Sequence, residues 1–87
     1  MRLTTPTWMD RFDLDTRLRA ECARGEAKHG KLQSAHEIYA VLLNELEEFW
    51  DSVKDHDPDP YELLQIAAVA YRGIENLCEQ ARNGVIR

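Results

Sequence analysis

Apolar side chains recur at three- and four-residue steps in three blocks along this chain. The spacing predicts helices. The clearest block runs Ile38, Val41, Leu42, Leu46, Phe49, Trp50, Val53. A second contains Leu63, Leu64, Ile66, Ala67, Ala70, Tyr71, Ile74, Leu77 and Cys78, and a shorter one Leu14, Leu18 and Cys22. No alternating pattern is long enough for a strand, and no segment repeats. The expected fold is all-α: a small antiparallel helical bundle of three main helices.

Local signals set the boundaries. Asp10 or Asp13 opens the first helix, which runs to about Lys28 and stops at Gly30. Ser34-Ala35-His36-Glu37 matches a capping box, in which serine and glutamate each satisfy an orphan backbone amide, and this second helix reaches about Lys54. Asp55-His56-Asp57-Pro58 reads as a turn, because the residue before proline leaves helical geometry. Asp59-Pro60-Tyr61-Glu62 supplies an N-cap, a proline at the first helical position and a glutamate at the third, and Asn83-Gly84 a C-cap. Residues 1–9 read as an extended arm anchored by Trp8, and residues 10–87 as a single helical domain.

At 87 residues, one core is barely large enough to hold a domain together. Completion by further copies is expected, giving a homo-oligomer (dimer or tetramer). The formal charge of −5 argues against a nucleic-acid backbone or an anionic membrane as partner. A phosphate ligand remains compatible if a divalent cation bridges it to the protein. No apolar run is long enough to span a bilayer, and Met1-Arg2-Leu3-Thr4-Thr5-Pro6 lacks a signal peptide's apolar core, so the expected location is cytoplasmic. Cys22 and Cys78 lie on apolar stripes, have no Cys-x-x-Cys partner and read as small core residues.

Within this frame Glu45 is out of place. With Ile38 as zero on a helical wheel, Glu45 falls near ~340°, between Val41 at ~300° and Leu42 at ~40°. A carboxylate among apolar side chains needs a compensating cation or hydrogen bonds. Glu48 stands one turn on, at the rim of the same face. On the third helix Glu62, Gln65, Arg72 and Asn76 form a polar strip that faces Glu45 and Glu48 if the two helices pack antiparallel. Three carboxylates and an amide then converge. Oxygen-only ligands suit Mg²⁺ or Mn²⁺ rather than zinc.

Plainer readings stand beside this one. Glu-x-x-Glu on a helix is usually a solvated face, Glu62 can serve only its cap, Gln65 can be a surface amide, and Glu45 can pair with an arginine across the bundle. Other chemistry fails sooner. His36-Glu37-Ile38-Tyr39-Ala40 begins like a His-Glu-x-x-His zinc helix, but alanine takes the second ligand position. His29 and His56 read as loop residues without a partner at metal spacing. No glycine-rich phosphate loop exists, and neither serine is placed as a nucleophile.

Taken in order, the segments Lys28-His29-Gly30-Lys31-Leu32-Gln33-Ser34-Ala35-His36-Glu37-Ile38-Tyr39-Ala40-Val41, Glu45-Leu46-Glu47-Glu48-Phe49-Trp50-Asp51-Ser52-Val53-Lys54 and Glu62-Leu63-Leu64-Gln65-Ile66-Ala67-Ala68-Val69-Ala70-Tyr71-Arg72 with Ile74-Glu75-Asn76-Leu77 resemble the MazG-like all-α nucleoside triphosphate pyrophosphohydrolases. Together they lie within residues 28–77, somewhat more than half of the chain. The resemblance implies Mg²⁺-dependent (or Mn²⁺-dependent) hydrolysis of a nucleoside triphosphate to monophosphate and pyrophosphate. It implies catalytic roles for Glu45 and Glu48, metal ligation by Glu45, Glu48, Glu62 and Gln65, and substrate contacts from His36, Lys54, Arg72 and Asn76. Gln65 and Asn76 stand where the family's second motif more often has aspartate, and Asn44 replaces a glutamate common beside the first. Each swap removes a negative charge and lowers the expected metal affinity. The alternatives are a non-catalytic MazG-like helical dimer that binds a nucleotide or other small ligand, and a purely structural helical dimer.

Overall fold

The computed structural model describes residues 11–84, with side chains from residue 13 onward. The arm expected at residues 1–9, with its Trp8, lies outside them. Three helices follow: α1 (Arg11–His29), α2 (Ala35–Lys54) and α3 (Pro60–Arg82). Among the described residues there is no strand.

The boundaries follow the capping chemistry. Gly30 ends α1 at φ 74°, a left-handed conformation that favours glycine. Ser34 Oγ accepts the Glu37 N–H at 3.1 Å, and Glu37 Oε1 reaches back to the Gln33 N–H at 3.4 Å. Asp59 caps α3 by accepting the Tyr61 N–H at 2.9 Å. The reciprocal half of this second cap differs from expectation. Ser52 Oγ, not Glu62, accepts the Asp59 N–H at 3.2 Å, which relieves Glu62 of that task. Asn83 and Gly84, the latter at φ 71°, close α3.

Helix α3 lies at the centre: α1 and α2 each pack on it and not on one another. The buried apolar side chains are Leu32, Ile38, Leu64, Ala68 and Val69, and Val41, Leu42 and Leu77 pack against the cluster of Leu32, Ile38 and Val69. Two polar residues of α3 anchor the α1–α2 connection. The buried Asn76 accepts the Leu32 N–H at 2.7 Å, and the buried Arg72 donates to the Gly30 carbonyl at 2.7 Å. Close approach reinforces both joins. A Cβ at Gly25 would meet Arg72 Nη1 at 2.7 Å, and one at Gly73 would meet Ile38 Cγ2 at 3.0 Å.

Not every apolar stripe is buried. Leu14 on α1 is exposed, and Cys78, expected in the core, is exposed on α3. Cys22, also expected in the core, is half-buried, its thiol pointing at the Ala68 carbonyl. An Asn76→Ala change leaves the Leu32 amide without its acceptor in a buried site, so it should lower unfolding stability by about 1–3 kcal/mol. Urea denaturation measures this; an unchanged midpoint and slope would show that the anchor contributes nothing.

Candidate metal centre

Glu45 and Glu48 stand one turn apart on α2, and Glu62 sits in the first turn of α3. The α2–α3 hairpin brings them together: one carboxylate oxygen from each lies within 4.8 Å of the other two. Glu45 and Glu62 are half-buried and Glu48 is exposed. Glu45 Oε2 is shut off from solvent and has no hydrogen-bond partner. An unsatisfied buried acceptor normally carries a penalty.

The ionisation behaviour reflects this crowding. Burial, then the charge of Glu48 and that of Glu62, push the Glu45 carboxyl up to about 7. Glu62 moves the same way, through burial and the neighbouring Glu48 and Asp59. Arginine and lysine provide no relief. Among the described residues, ion pairs join Arg24 to Glu21, Lys31 to Glu79 and Lys54 to Asp51, and none touches the trio. The cross-bundle arginine partner for Glu45 is therefore not what compensates it. Three oxygen donors with a surplus of negative charge and one orphaned acceptor fit a hard divalent cation.

Gln65 lies one turn beyond Glu62, but its side-chain nitrogen is committed elsewhere. It donates to Glu21 Oε2 on α1 at 2.6 Å. Glu21 also accepts from the Tyr61 hydroxyl at 3.1 Å and from Arg24, and Arg24 donates to the same hydroxyl. Burial pushes the Glu21 carboxyl up, yet the hydrogen bonds from Arg24, Gln65 and Tyr61 outweigh it and leave it below the usual range. Glu21, Arg24 and Tyr61 were not among the expected site residues. The i,i+3 spacing of Glu21 and Arg24 is visible in the sequence, but their partners lie about forty residues away.

The remaining expected residues are dispersed. Arg72 and Asn76 hold the α1–α2 connection. Lys54 is exposed at the end of α2, paired with Asp51 at 3.2 Å. His36 is exposed in the first turn of α2. His29 is the last residue of α1 rather than a loop residue.

Because α1 and α2 do not touch, a trough of about 610 Å³ opens between them over α3. Its α1 wall carries Arg24, Lys28 and His29, its floor Gln65 and Arg72, and its α2 wall Glu37, Asn44 and Glu45. Glu45 thus belongs both to the acidic trio and to the trough's edge. No protein-family model matches the chain, and no curated protein or solved structure does.

Metal-free protein should titrate with a definite sign. The Glu45 carboxyl is raised in the folded state, so its protonated form favours folding. That contribution is complete below the unfolded value near 4.5 and is lost as pH rises through about 7. Discounted for partial solvent exposure, the loss should be roughly 1–2 kcal/mol. Glu45→Gln should flatten the pH dependence and raise metal-free stability at pH 8; a variant with the same slope as the original would refute the assignment.

Proposed function

We propose that this chain is a MazG-like nucleoside triphosphate pyrophosphohydrolase that uses Mg²⁺ or Mn²⁺ and works in the cytoplasm as a homo-oligomer. The observation that carries the proposal is the convergence of Glu45, Glu48 and Glu62, with the buried Glu45 Oε2 left unsatisfied. These are the three carboxylates that match the metal-holding positions of the family resemblance. In the reaction, water attacks phosphorus, one phosphoanhydride bond breaks, and monophosphate and pyrophosphate separate. A divalent ion held by the trio would neutralise and orient the triphosphate and make water a better nucleophile.

The trough supports the same reading. Its volume lies within the range of about 300–1,000 Å³ common for small-molecule sites. Lys28 on its α1 wall gives an anionic ligand something to approach, while Arg24 beside it is paired with Glu21, and Glu45 joins the trough to the acidic centre. The buried Arg72 on its floor donates to the Gly30 carbonyl and joins none of the ion pairs among the described residues.

A non-catalytic nucleotide binder is the second reading, and one observation favours it. The Gln65 amide is tied to Glu21, and Asn76 spends its oxygen on the Leu32 N–H. Asn76 thus has its ligating oxygen engaged in structure, whereas the Gln65 bond spends the amide nitrogen and constrains where the oxygen can point.

Incubation with a panel of nucleoside triphosphates and Mg²⁺ or Mn²⁺ separates the two. Pyrophosphate release is expected, falling on the order of 100-fold or more in Glu45→Gln, since even supporting groups around a metal are worth about 10–100-fold. Thermal stabilisation by nucleotide and metal without turnover would support the binder instead. Neither turnover nor stabilisation would reject both.

A further inference from the structure

Glu21 on α1 takes no part in the acidic trio, yet its carboxylate gathers three donors. Oε2 accepts from Gln65 Nε2 at 2.6 Å and from Arg24, and Oε1 accepts from the Tyr61 hydroxyl at 3.1 Å. The side chain is only 14% exposed. Its donors hold the carboxyl below the usual range, so at neutral pH it is ionised and offers nothing but acceptors. The end of Gln65 that meets it must therefore be the nitrogen. The oxygen of that planar amide points away from Glu21.

The place of Gln65 on α3 gives this orientation a consequence. With Tyr61 as zero, Gln65 falls at ~40° and Glu62 at ~100°. Gln65 thus stands between Tyr61, which meets Glu21 on α1, and Glu62, which meets Glu45 and Glu48 on α2. It also lines the trough together with Glu45. Turned toward α2, the amide nitrogen would offer the trio a hydrogen bond and satisfy it from within the protein. Held toward α1, it leaves Glu45 Oε2 without a partner, as observed, and leaves the oxygen for the Glu62 side.

We propose that Glu21 is a positioning residue for the metal centre: it draws the Gln65 nitrogen to α1, keeps that donor away from Glu45, and sets the Gln65 oxygen as a neutral donor to the divalent cation. This role rests on the trio being a cation site, and it gives that site a residue from the helix that carries none of the three carboxylates. A neutral oxygen adds coordination without adding a fourth repelling charge. Arg24 and Tyr61 grip Glu21 beside the Gln65 bond and bond to each other, which fixes the carboxylate in place. Groups that orient a metal ligand in this way are worth about 10–100-fold in metal affinity.

Titration calorimetry with Mn²⁺ alone, at pH 7.5 and without nucleotide, tests the role. Glu21→Ala should weaken Mn²⁺ binding about 10-fold or more. Glu21→Gln should restore it, because the new amide oxygen accepts the Gln65 N–H while its nitrogen faces a Tyr61 hydroxyl that can accept. Gln65→Leu should weaken binding by itself, and adding Glu21→Ala to it should cause no further loss, since Glu21 acts through Gln65. A Glu21 that merely ties α1 to α3 would lower the melting temperature and leave Mn²⁺ affinity unchanged, or cost the same affinity in the Gln65→Leu background; either result overturns the proposal. Should Glu21→Ala not fold, full Mn²⁺ affinity in Gln65→Leu overturns it instead. An original chain that binds no Mn²⁺ would be a different failure, that of the trio as a cation site, and the positioning role would fall with it.

Discussion

Three carboxylates held within 4.8 Å of one another repel, and in a partly buried setting that repulsion is poorly screened. The hairpin nonetheless brings Glu45 and Glu48 against Glu62. It does so because the joint between α2 and α3 is fixed by other groups. Ser52 accepts the Asp59 amide and donates to the Phe49 carbonyl, Asp59 caps the Tyr61 amide, and Pro60 presets the first turn. With the cap completed from α2, the Glu62 carboxylate is free to face the pair on α2. The strain appears as a Glu45 carboxyl raised to about 7 and a buried oxygen without a partner. Protonation or a cation relieves it.

The central position of α3 accounts for most of the rest. Each of its sides meets something different. One side receives α1 through Cys22 and Gly25, another receives α2 through Gly73, and the polar strip between them anchors the connection and floors the trough. Asn76 pairs the Leu32 amide, which would otherwise be buried unpaired, and Arg72 holds the Gly30 carbonyl of the same connection. The separation of α1 from α2 is what leaves room for a ligand-sized trough. Its position makes Glu45 common to the acidic trio and the trough.

Much of this was legible in the sequence, and the limits have physical reasons. The caps at Ser34 and Asp59, the stop at Gly30 and the odd position of Glu45 are local or single-helix properties, so a wheel and a capping rule reach them. Convergence of Glu62 with Glu45 and Glu48 needed only antiparallel packing of neighbouring helices. The tie between Gln65 and Glu21 joins residues 44 apart, a separation no periodicity encodes. Arg72 and Asn76 were correctly placed on a polar strip, but a wheel does not distinguish a strip that meets a ligand from one that meets a loop. The apolar positions Leu46 and Trp50 matched the helical period and are still exposed: periodicity identifies a face that avoids water without identifying what covers it.

The central claim is that Glu45, Glu48 and Glu62 form a cation site. Anomalous diffraction from crystals grown with Mn²⁺ near pH 7.5 tests it most directly. The account predicts one anomalous peak among the three carboxylates, at oxygen distances of about 2.0–2.3 Å, and absent in Glu45→Gln crystals. Density showing the three carboxylates apart, or closed on one another with no anomalous peak between them, would contradict it.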